Sequence, residues 1–198
     1  EADLIFHQAG LRYANNSKDY IDVNAIGTLN LFDVVKSKKL NIKKIIYAST
    51  NLVYGEGRYL CENHGVFYPS GRTLEQLENK AWELQCSECK ENMKPLPVRE
   101  DSPTNTNELY GLTKLIGEVA AIKAISPDLP VVIFRTPLIY GPREYKGLCQ
   151  IFSTKLYNKQ EIKITEDGGQ LRDFIYIDDV VNANLFAMER DITGVFNL

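Results

Sequence analysis

The sequence has little of what marks secreted, membrane or nucleic-acid-binding proteins. Its 198 residues include only four cysteines, and three of them lie in one short region, which indicates a metal site rather than disulfides. No run of Lys and Arg is interleaved with aromatics. No apolar stretch reaches the about 20 residues that a membrane-spanning helix needs, and no apolar segment follows a basic start. We therefore expect neither a membrane nor a nucleic-acid partner, and predict a cytoplasmic protein in a reducing compartment.

A glycine-rich phosphate loop is absent as well. The 13 glycines never form a G-x-x-G-x-x-G pattern, which binds a pyrophosphate at the N-terminus of a helix. The sequence begins with Glu-Ala-Asp rather than Met, passes at once into an apolar run, and ends abruptly in the strand-like run 194–198. Both ends lead us to expect a fragment of a longer protein.

Short apolar runs alternate with segments of helical periodicity. Apolar, β-branched runs at residues 3–9, 43–48 and 130–135 are typical of buried strands, and residues 18–38 and 110–124 show helical spacing. This alternation predicts βαβ units, so we expect an α/β fold with a Rossmann-like, doubly wound parallel sheet covered on both faces. The later part adds predicted helices at 147–158 and 178–190 and short strands at 162–164, 174–177 and 194–198.

Residues 57–97, here named the Cys/His segment, interrupt this alternation. Cys61-Glu-Asn-His64 and Cys86-Ser-Glu-Cys89 are two ligand pairs with two residues between the ligands, and Gly65 suits the turn of a metal knuckle. Three thiolates and one imidazole are the donors of a closed tetrahedral zinc site, which would be structural because no coordination position stays open. Isolated buried cysteines are the alternative interpretation.

Tyr110 and Lys114 are separated by one turn at the start of a predicted helix. This spacing puts both side chains on one helix face, where an ammonium would lower the pKa of the phenol and make Tyr110 usable as a general base. Thr50 follows the strand at 43–48, and ligands of open parallel sheets bind at the carboxyl ends of strands. When each motif stands alone, a chance Tyr-x-x-x-Lys match and a simple Ser/Thr turn are alternatives.

Six motifs, in sequence order, resemble the extended short-chain dehydrogenase/reductase family and, within it, the NAD-dependent sugar-nucleotide epimerases and dehydratases. They cover nearly the whole chain, and the probability that all six match by chance in this order is negligible. The motifs are His7-Gln8-Ala9-Gly10-Leu11-Arg12, Val23-Asn24-Ala25-Ile26-Gly27-Thr28, Ala48 to Gly55, Tyr110 with Lys114, Tyr140-Gly141-Pro142-Arg143, and Arg172 to Val180.

The resemblance implies an NAD-dependent enzyme whose partner is a nucleotide-sugar substrate. It implies catalytic roles for Thr50, Tyr110 and Lys114, with Thr50 also binding the substrate. Arg143 and Arg172 would bind the nucleotide diphosphate, where a guanidinium fork suits phosphate oxygens. The residues implied to contact NAD are Ala9, Gly10, Arg12, Asn24, Ser49, Tyr110, Lys114 and Pro137.

Two features depart from the family pattern. Leu138 stands where many members have an Asn that contacts the sugar nucleotide, so that contact is not expected here. The glycine-rich loop should precede the first strand, and its absence implies truncation rather than another cofactor. We expect the chain alone to bind NAD weakly or not at all, and the segment that distinguishes NAD from NADP is missing too.

Asn51 and Leu52 indicate which reaction the site performs. The dehydratases of the family resemble a Thr-Asp-Glu pattern here, whose carboxyl groups eliminate water, and neither Asn51 nor Leu52 can transfer a proton in that role. The residues favour a 4-epimerase, in which a transient 4-keto sugar rotates and hydride returns to its other face. A 4,6-dehydratase or 4-keto reductase is the alternative within the family, and a non-catalytic NAD-sensing or assembly module is the alternative outside enzymes.

The Cys/His segment is also similar to a zinc-ribbon-like segment in a group of the family assigned as dTDP-L-rhamnose 4-epimerases, which implies a dTDP-deoxyhexose substrate. Family members often form dimers through two helices beside the active site, including the Tyr110 helix, so we expect a homodimer. We predict a partial NAD-binding region (1–56), the Cys/His segment (57–97), a continuation with the catalytic helix (98–146) and a partial substrate-binding region (147–198).

Overall fold

The computed structural model describes residues 2–198, and its helices and strands alternate along most of the chain. No helix in this range has the length and hydropathy that crossing a membrane requires. In chain order the elements are β1 (Leu4–His7), α1 (Ser17–Tyr20), a π-helical stretch (Ile21–Ile26), α2 (Gly27–Ser37), β2 (Lys44–Thr50), a 3₁₀ turn (Asn51–Tyr54), β3 (Arg58–Cys61), β4 (Gly65–Phe67), α3 (Leu74–Glu78), β5 (Lys94–Leu96), α4 (Leu109–Ala124), β6 (Val131–Thr136), β7 (Leu138–Tyr140), α5 (Leu148–Tyr157), β8 (Phe174–Tyr176), α6 (Ile177–Glu189) and β9 (Gly194–Asn197).

Four parallel strands form the main sheet, in the order β1-β2-β6-β9. The register pairs Ile45 with Val131 and Thr50 with Thr136, so β2 and β6 end side by side. The strands β1 and β9 pair in parallel on either side of them. The predicted α/β class with a Rossmann-like parallel sheet is confirmed.

Helices pack on both faces of this sheet. On one face, Ile45 lies in a cluster with Phe32 of α2 and Ala121 of α4. On the other face, Ile46 lies in a cluster with Ala187 of α6. Full burial of an aliphatic side chain contributes about 1.5–3 kcal/mol, so both faces stabilise the sheet. Burial on two faces is also why β2 has a continuous apolar run rather than an alternating pattern.

Two regions differ from the sequence-based expectation. The strand predicted at 162–164 is wrong, because that stretch is irregular and Ile164 is 64% exposed. An apolar pattern needs a neighbouring strand, and none in the described chain pairs with this stretch. By contrast, β7, which the sequence did not predict, pairs in parallel with β8 in a separate two-stranded sheet.

A three-stranded antiparallel sheet, in the order β4-β3-β5, is the framework of the Cys/His segment. Its short helix α3 begins with a reciprocal capping box between Thr73 and Gln76. A small apolar core surrounds its cysteines. Because Arg58 pairs with Leu96, the chain leaves the main fold and rejoins it at adjacent points.

Candidate active site and metal site

A cavity of about 1120 Å³ opens at the carboxyl ends of β2 and β6. This is the end of an open parallel sheet at which ligands bind. Side chains from several parts of the chain line the cavity, the Cys/His segment included. The residues predicted from the sequence that line it are Gly10, Arg12, Thr50, Tyr110, Pro137, Arg143 and Arg172.

Thr50 is held firmly at the end of β2. Its backbone is extended, and its hydroxyl oxygen accepts a hydrogen bond from the Leu52 N–H at 3.3 Å, which caps the 3₁₀ turn. On the neighbouring strand, the Thr136 hydroxyl donates to the Ser49 carbonyl oxygen at 3.2 Å. These bonds fix the position from which Thr50 meets the cavity.

Helix α4 brings Tyr110 to the same cavity. A Cβ at Gly111 would lie 2.9 Å from the Leu52 carbonyl oxygen, so only glycine lets the start of α4 come this close to the turn after Thr50. Within residues 2–198, no hydrogen bond joins the Tyr110 hydroxyl to Thr50. Hydrogen bonds between catalytic groups often tighten only when substrate is bound.

Arg12 is the cation that lies against Tyr110. Its guanidinium carbon is 4.6 Å from the centroid of the Tyr110 ring, and Arg12 also forms a 3.8 Å ion pair with Glu108. Burial raises the pKa of Tyr110, and the positive charge of Arg12 opposes that rise. The expectation that Lys114 lowers this pKa is therefore wrong, because burial outweighs the neighbouring charge and that charge belongs to Arg12.

Lys114 is buried behind the cavity rather than lining it. Its ammonium nitrogen is 4.5 Å from the centroid of the Tyr47 ring, in a cation–π arrangement. Burial lowers the pKa of Lys114 to about 8, and the charge of Glu118 opposes this shift. A Cβ at Gly10 would lie 3.6 Å from the Lys114 ammonium, which therefore lies close to the loop after β1.

Ala9, Asn24 and Ser49, all predicted to contact NAD, also lie outside the cavity lining. Asn24 is fully buried, and its side chain accepts from the Leu11 N–H at 2.7 Å and donates to the Leu11 carbonyl at 2.9 Å. Asn24 thus holds the loop after β1 in place. The Ser49 hydroxyl donates to the Glu118 carboxylate. Contact of these three residues with a cofactor stays a prediction.

Two groups of residues near the site were not predicted. Glu118 of α4 and Arg135 of β6 form a buried ion pair with 2.7 Å between Nη2 and Oε2. The only signals for it in the sequence are an isolated acid and an isolated base within otherwise apolar stretches. Arg72, Trp82 and Glu83 of the Cys/His segment line the cavity, and no local pattern indicates that they reach it.

The structure brings the four predicted metal ligands together. The ligand atoms of Cys61, His64, Cys86 and Cys89 all lie within 4.8 Å of one another. The distances from Cys61 Sγ to His64 Nδ1 and to Cys89 Sγ are both 3.6 Å, too long for a disulfide, and the cysteines are free. A tetrahedron with Zn–S of about 2.3 Å and Zn–N of about 2.0–2.1 Å separates its ligand atoms by about 3.5–3.8 Å, so the donor set fits zinc.

Two similar turns build this metal site. Gly65 and Lys90, each directly after the second ligand of a pair, have positive φ angles of 82° and 65°. The Lys90 N–H donates to the Cys86 carbonyl at 3.0 Å and closes the second turn. Burial raises the pKa of the Cys86 thiol, but backbone N–H groups of Cys89 and Glu88 and the neighbouring sulfurs bring it down to about 6. A low pKa favours the thiolate, which is the form that binds metals.

The ordered motifs, the parallel sheet and the cavity at its strand ends define the class of protein. Residues 1–71 and 75–198 match the NAD dependent epimerase/dehydratase family. This match covers nearly the whole chain, and the chain belongs to this family.

Individual proteins similar to this chain are sugar-nucleotide epimerases by name. The chain is 32% identical to a dTDP-L-rhamnose 4-epimerase from Burkholderia thailandensis over 176 residues, 85% of this chain and 47% of that protein. It is 30% identical to a putative UDP-glucose 4-epimerase from Methanocaldococcus jannaschii, over 95% of this chain and 52% of that protein. The crystal structure of UDP-glucuronic acid 4-epimerase from Bacillus cereus with NAD matches at a TM-score of 0.70 and 25% identity, over 99% of this chain and 53% of that one. The chain thus spans about half the length of these relatives.

Proposed function

We propose that the protein to which this chain belongs is an NAD-dependent sugar-nucleotide 4-epimerase. The observation that carries the proposal is one cavity, lined by both Thr50 and Tyr110, at which Asn51 and Leu52 offer no carboxyl group. Elimination of water needs an acid and a base there, so the side chains support reversible oxidation at C4 instead. Similarity to 4-epimerases from two organisms supports the same reaction.

The residues of this chain fit one side of an NAD site. Gly10 lines the cavity, and a Cβ there would lie 3.3 Å from Asn24 Oδ1, so the glycine lets the loop after β1 pack closely on Asn24. Arg12 and Pro137 line the same cavity, and the proposed NAD contacts are with these three residues. When bound, NAD supplies the acceptor and donor of the hydride at C4.

Tyr110 and Thr50 handle the proton of the sugar. Tyr110 takes the proton of the C4 hydroxyl as general base and returns it after the sugar has turned, so no proton is gained or lost. Thr50 holds the same hydroxyl by a hydrogen bond. The phenolate that Tyr110 uses as the base is stabilised by the guanidinium of Arg12, which lies against its ring.

Arg143 and Arg172 bind the diphosphate of the substrate. Both line the cavity. Arg143 follows β7 and Arg172 precedes β8, so they lie beyond opposite ends of this parallel pair. Each guanidinium can donate paired hydrogen bonds to one phosphate. The proposed substrate is a dTDP-deoxyhexose, because of the similarity to the Burkholderia thailandensis protein.

The reaction is tested with the full-length protein, NAD and either dTDP-L-rhamnose or UDP-glucose, followed by proton NMR. Inversion at C4 is expected, and Tyr110→Phe should slow it about 10²–10⁴-fold. Tyr157→Phe, at a side chain 88% exposed on α5, is the matched control and should leave the rate unchanged. Loss of water would identify a dehydratase, and net NADH formation an oxidoreductase that oxidises the sugar. An unchanged rate in Tyr110→Phe would show that the catalytic assignment is wrong.

We also propose that the Cys/His segment is a separate module that holds one zinc ion through Cys61, His64, Cys86 and Cys89. The ligand distances of 3.6 Å and the thiolate character of Cys86 support this proposal. Four protein ligands fill the tetrahedron, so the metal would stabilise structure rather than act on substrate.

We propose in addition that two copies of the protein pair through α2 and α4. Leu29 of α2 and Leu112, Ile116 and Val119 of α4 line an apolar groove between the two helices. Leu112 and Val119 are 46% and 50% exposed. Contiguous apolar patches of this kind mark interfaces, and a second copy of the same patch closes a twofold contact.

A further inference from the structure

The cavity at the strand ends has a wall that the Rossmann-like part does not supply. Thr50 and Tyr110 lie on the side formed by β2 and α4. The Cys/His segment provides another side, from residues close in sequence to the metal ligands. Its lining residues are Tyr59, Arg72, Trp82, Glu83, Leu84 and Pro95.

This wall is tied to the loop that carries Arg172. Arg72 donates to the Glu166 carboxylate at 2.9 Å, and the two side chains are only 29% and 21% exposed. Glu166 belongs to the irregular stretch between α5 and β8, which also places Arg172 at the cavity. An ion pair held partly out of water contributes more than one on an open surface, so Arg72 fastens the wall to the loop.

The wall is also continuous with the metal site. Arg72 donates a second hydrogen bond to the Trp82 carbonyl at 3.5 Å. Two residues further on, Leu84 packs in the small buried core with Cys61 and Cys86, and its carbonyl accepts from the Met93 N–H at 2.8 Å. The positions of Trp82 and Glu83 therefore depend on the same core that the four ligands organise.

The chemistry of the wall suits a sugar. Trp82 and Tyr59 offer aromatic surface for the apolar face of a sugar ring, and the exposed Glu83 carboxylate can accept hydrogen bonds from its hydroxyls. Phosphates, in contrast, would be repelled by Glu83 and bound by Arg143 and Arg172.

We infer that the Cys/His segment is the specificity wall of the nucleotide-sugar site, in which Trp82 and Glu83 contact the sugar and Arg72 holds the wall against Glu166. This inference rests on the proposed epimerase function. It assigns the metal site a role beyond folding, because zinc then determines indirectly which sugar fits.

The first experiment measures binding of dTDP-L-rhamnose and UDP-glucose to the full-length, NAD-loaded protein by calorimetry. Trp82→Ala and Glu83→Ala should weaken binding of the preferred nucleotide sugar roughly tenfold and change the ratio of the dissociation constants of the two nucleotide sugars. Glu78→Ala, an exposed acid of the same segment outside the cavity lining, is the matched control for Glu83 and should change neither the affinity nor the ratio of the two dissociation constants. NAD binding and zinc content should stay at the wild-type values in all three variants, which separates a wall contact from misfolding.

The second experiment tests the Arg72–Glu166 ion pair by charge reversal. Arg72→Glu should raise KM roughly tenfold with little change in kcat, and Glu166→Arg in the same protein should restore KM to within about threefold. Arg99→Glu, whose exposed ion pair with Asp101 is outside the cavity lining, serves as the control for a change of charge alone.

The outcomes distinguish the two proposals. If the wild-type protein binds neither nucleotide sugar, both the epimerase function and the specificity wall are overturned. If it binds them and the Trp82, Glu83 and Arg72 variants all stay within twofold of it for both sugars, only the specificity wall is overturned.

Discussion

Arg135 and Glu118 form a bidentate ion pair that is almost completely buried between strand β6 and helix α4. The Arg135 Nη2 donates to Oε2 at 2.7 Å and Nε donates to Oε1 at 3.1 Å, with side chains 6% and 1% exposed. The remaining nitrogen of Arg135 donates to the Tyr54 hydroxyl at 2.7 Å, and the Ser49 hydroxyl donates to Glu118. One network therefore joins the strand that ends in Thr50 to the helix that carries Tyr110.

Removal of one partner of this ion pair should be costly. Arg135→Met leaves the Glu118 carboxylate buried without its counter-charge, which should lower the free energy of unfolding by about 3–5 kcal/mol. Urea denaturation measures the loss. The double variant Glu118→Leu with Arg135→Met should regain most of it, whereas Arg99→Met, in an exposed pair, should cost no more than about 1 kcal/mol. Equal stability of Arg135→Met and Arg99→Met would contradict the assignment.

Gly117 and Gly27 should respond in opposite ways to an added methyl group. A Cβ at Gly117 would lie 2.8 Å from the Cζ atom of Tyr47, which is completely buried and cannot move aside. Gly117→Ala should therefore destabilise by about 1–3 kcal/mol. At Gly27 the nearest atom would be an ordinary 3.5 Å away, so Gly27→Ala should be neutral or stabilise by up to about 1 kcal/mol. Thermal and urea unfolding measure the stability of both variants, and a Gly117→Ala protein more stable than the wild type would refute the packing argument.

The charge of Arg12 should set the pH at which Tyr110 works. Burial raises the pKa of Tyr110 and Arg12 opposes the rise, so Arg12→Gln should raise this pKa further. Because Tyr110 then loses its proton only at a higher pH, the rising limb of the plot of kcat against pH should shift to higher pH. The measurement uses full-length protein saturated with NAD, and Arg12→Lys, which keeps a positive charge, should move the limb less. A limb that stays in place or moves to lower pH in Arg12→Gln would exclude this role.

Zinc should be retained through the four ligands of the Cys/His segment. The dialysed full-length protein should hold one zinc per chain by metal analysis, and Cys86→Ser should lose it, because a hydroxyl replaces the thiolate. Cys149→Ser, at a cysteine outside the ligand group, should keep its zinc. Chelation should also lower the unfolding temperature, and a metal-free protein of unchanged stability would rule out a structural ion.

The groove between α2 and α4 should hold a second copy of the protein. Val119→Glu places a charge on this apolar face and should convert a dimer to a monomer, as measured by sedimentation. Val119 is half exposed within one chain, so its own fold should tolerate the change. Leu156→Glu, at a side chain 64% exposed on α5, should leave the dimer intact. A wild-type protein that sediments as a monomer would refute the interface.

Features that depend on local sequence could be predicted. The strand at residues 44–50 and the helix at 109–124 follow from apolar periodicity, and the spacing of Cys61, His64, Cys86 and Cys89 indicated a ligand group that the fold does assemble. Thr50 could be placed at the cavity because ligands bind at the strand ends of open parallel sheets, and the family resemblance placed Tyr110 beside it.

Features that depend on contacts between residues distant in sequence could not be predicted. Nothing in the residues near Arg12 indicates that its loop turns back over Tyr110, since this requires the path of the chain after β1. The pairing of β7 with β8 joins short stretches far apart in sequence, while the apolar residues at 162–164 find no partner at all. The ion pair between Glu118 and Arg135 depends on how α4 packs on β6, and the apolar periodicity of the sequence does not specify that packing.

The pairing of Arg58 with Leu96 has a consequence for how such enzymes diversify. Partners in an antiparallel pair are only about 5 Å apart, so a two-residue hairpin turn could replace everything between them without displacing β2 or α4. The two chain ends of the Cys/His segment thus lie side by side, and the Arg72–Glu166 ion pair also joins the segment to the loop before β8. Under the proposed function, a relative that exchanged the segment for another would change one wall of the sugar site and keep Tyr110 in place.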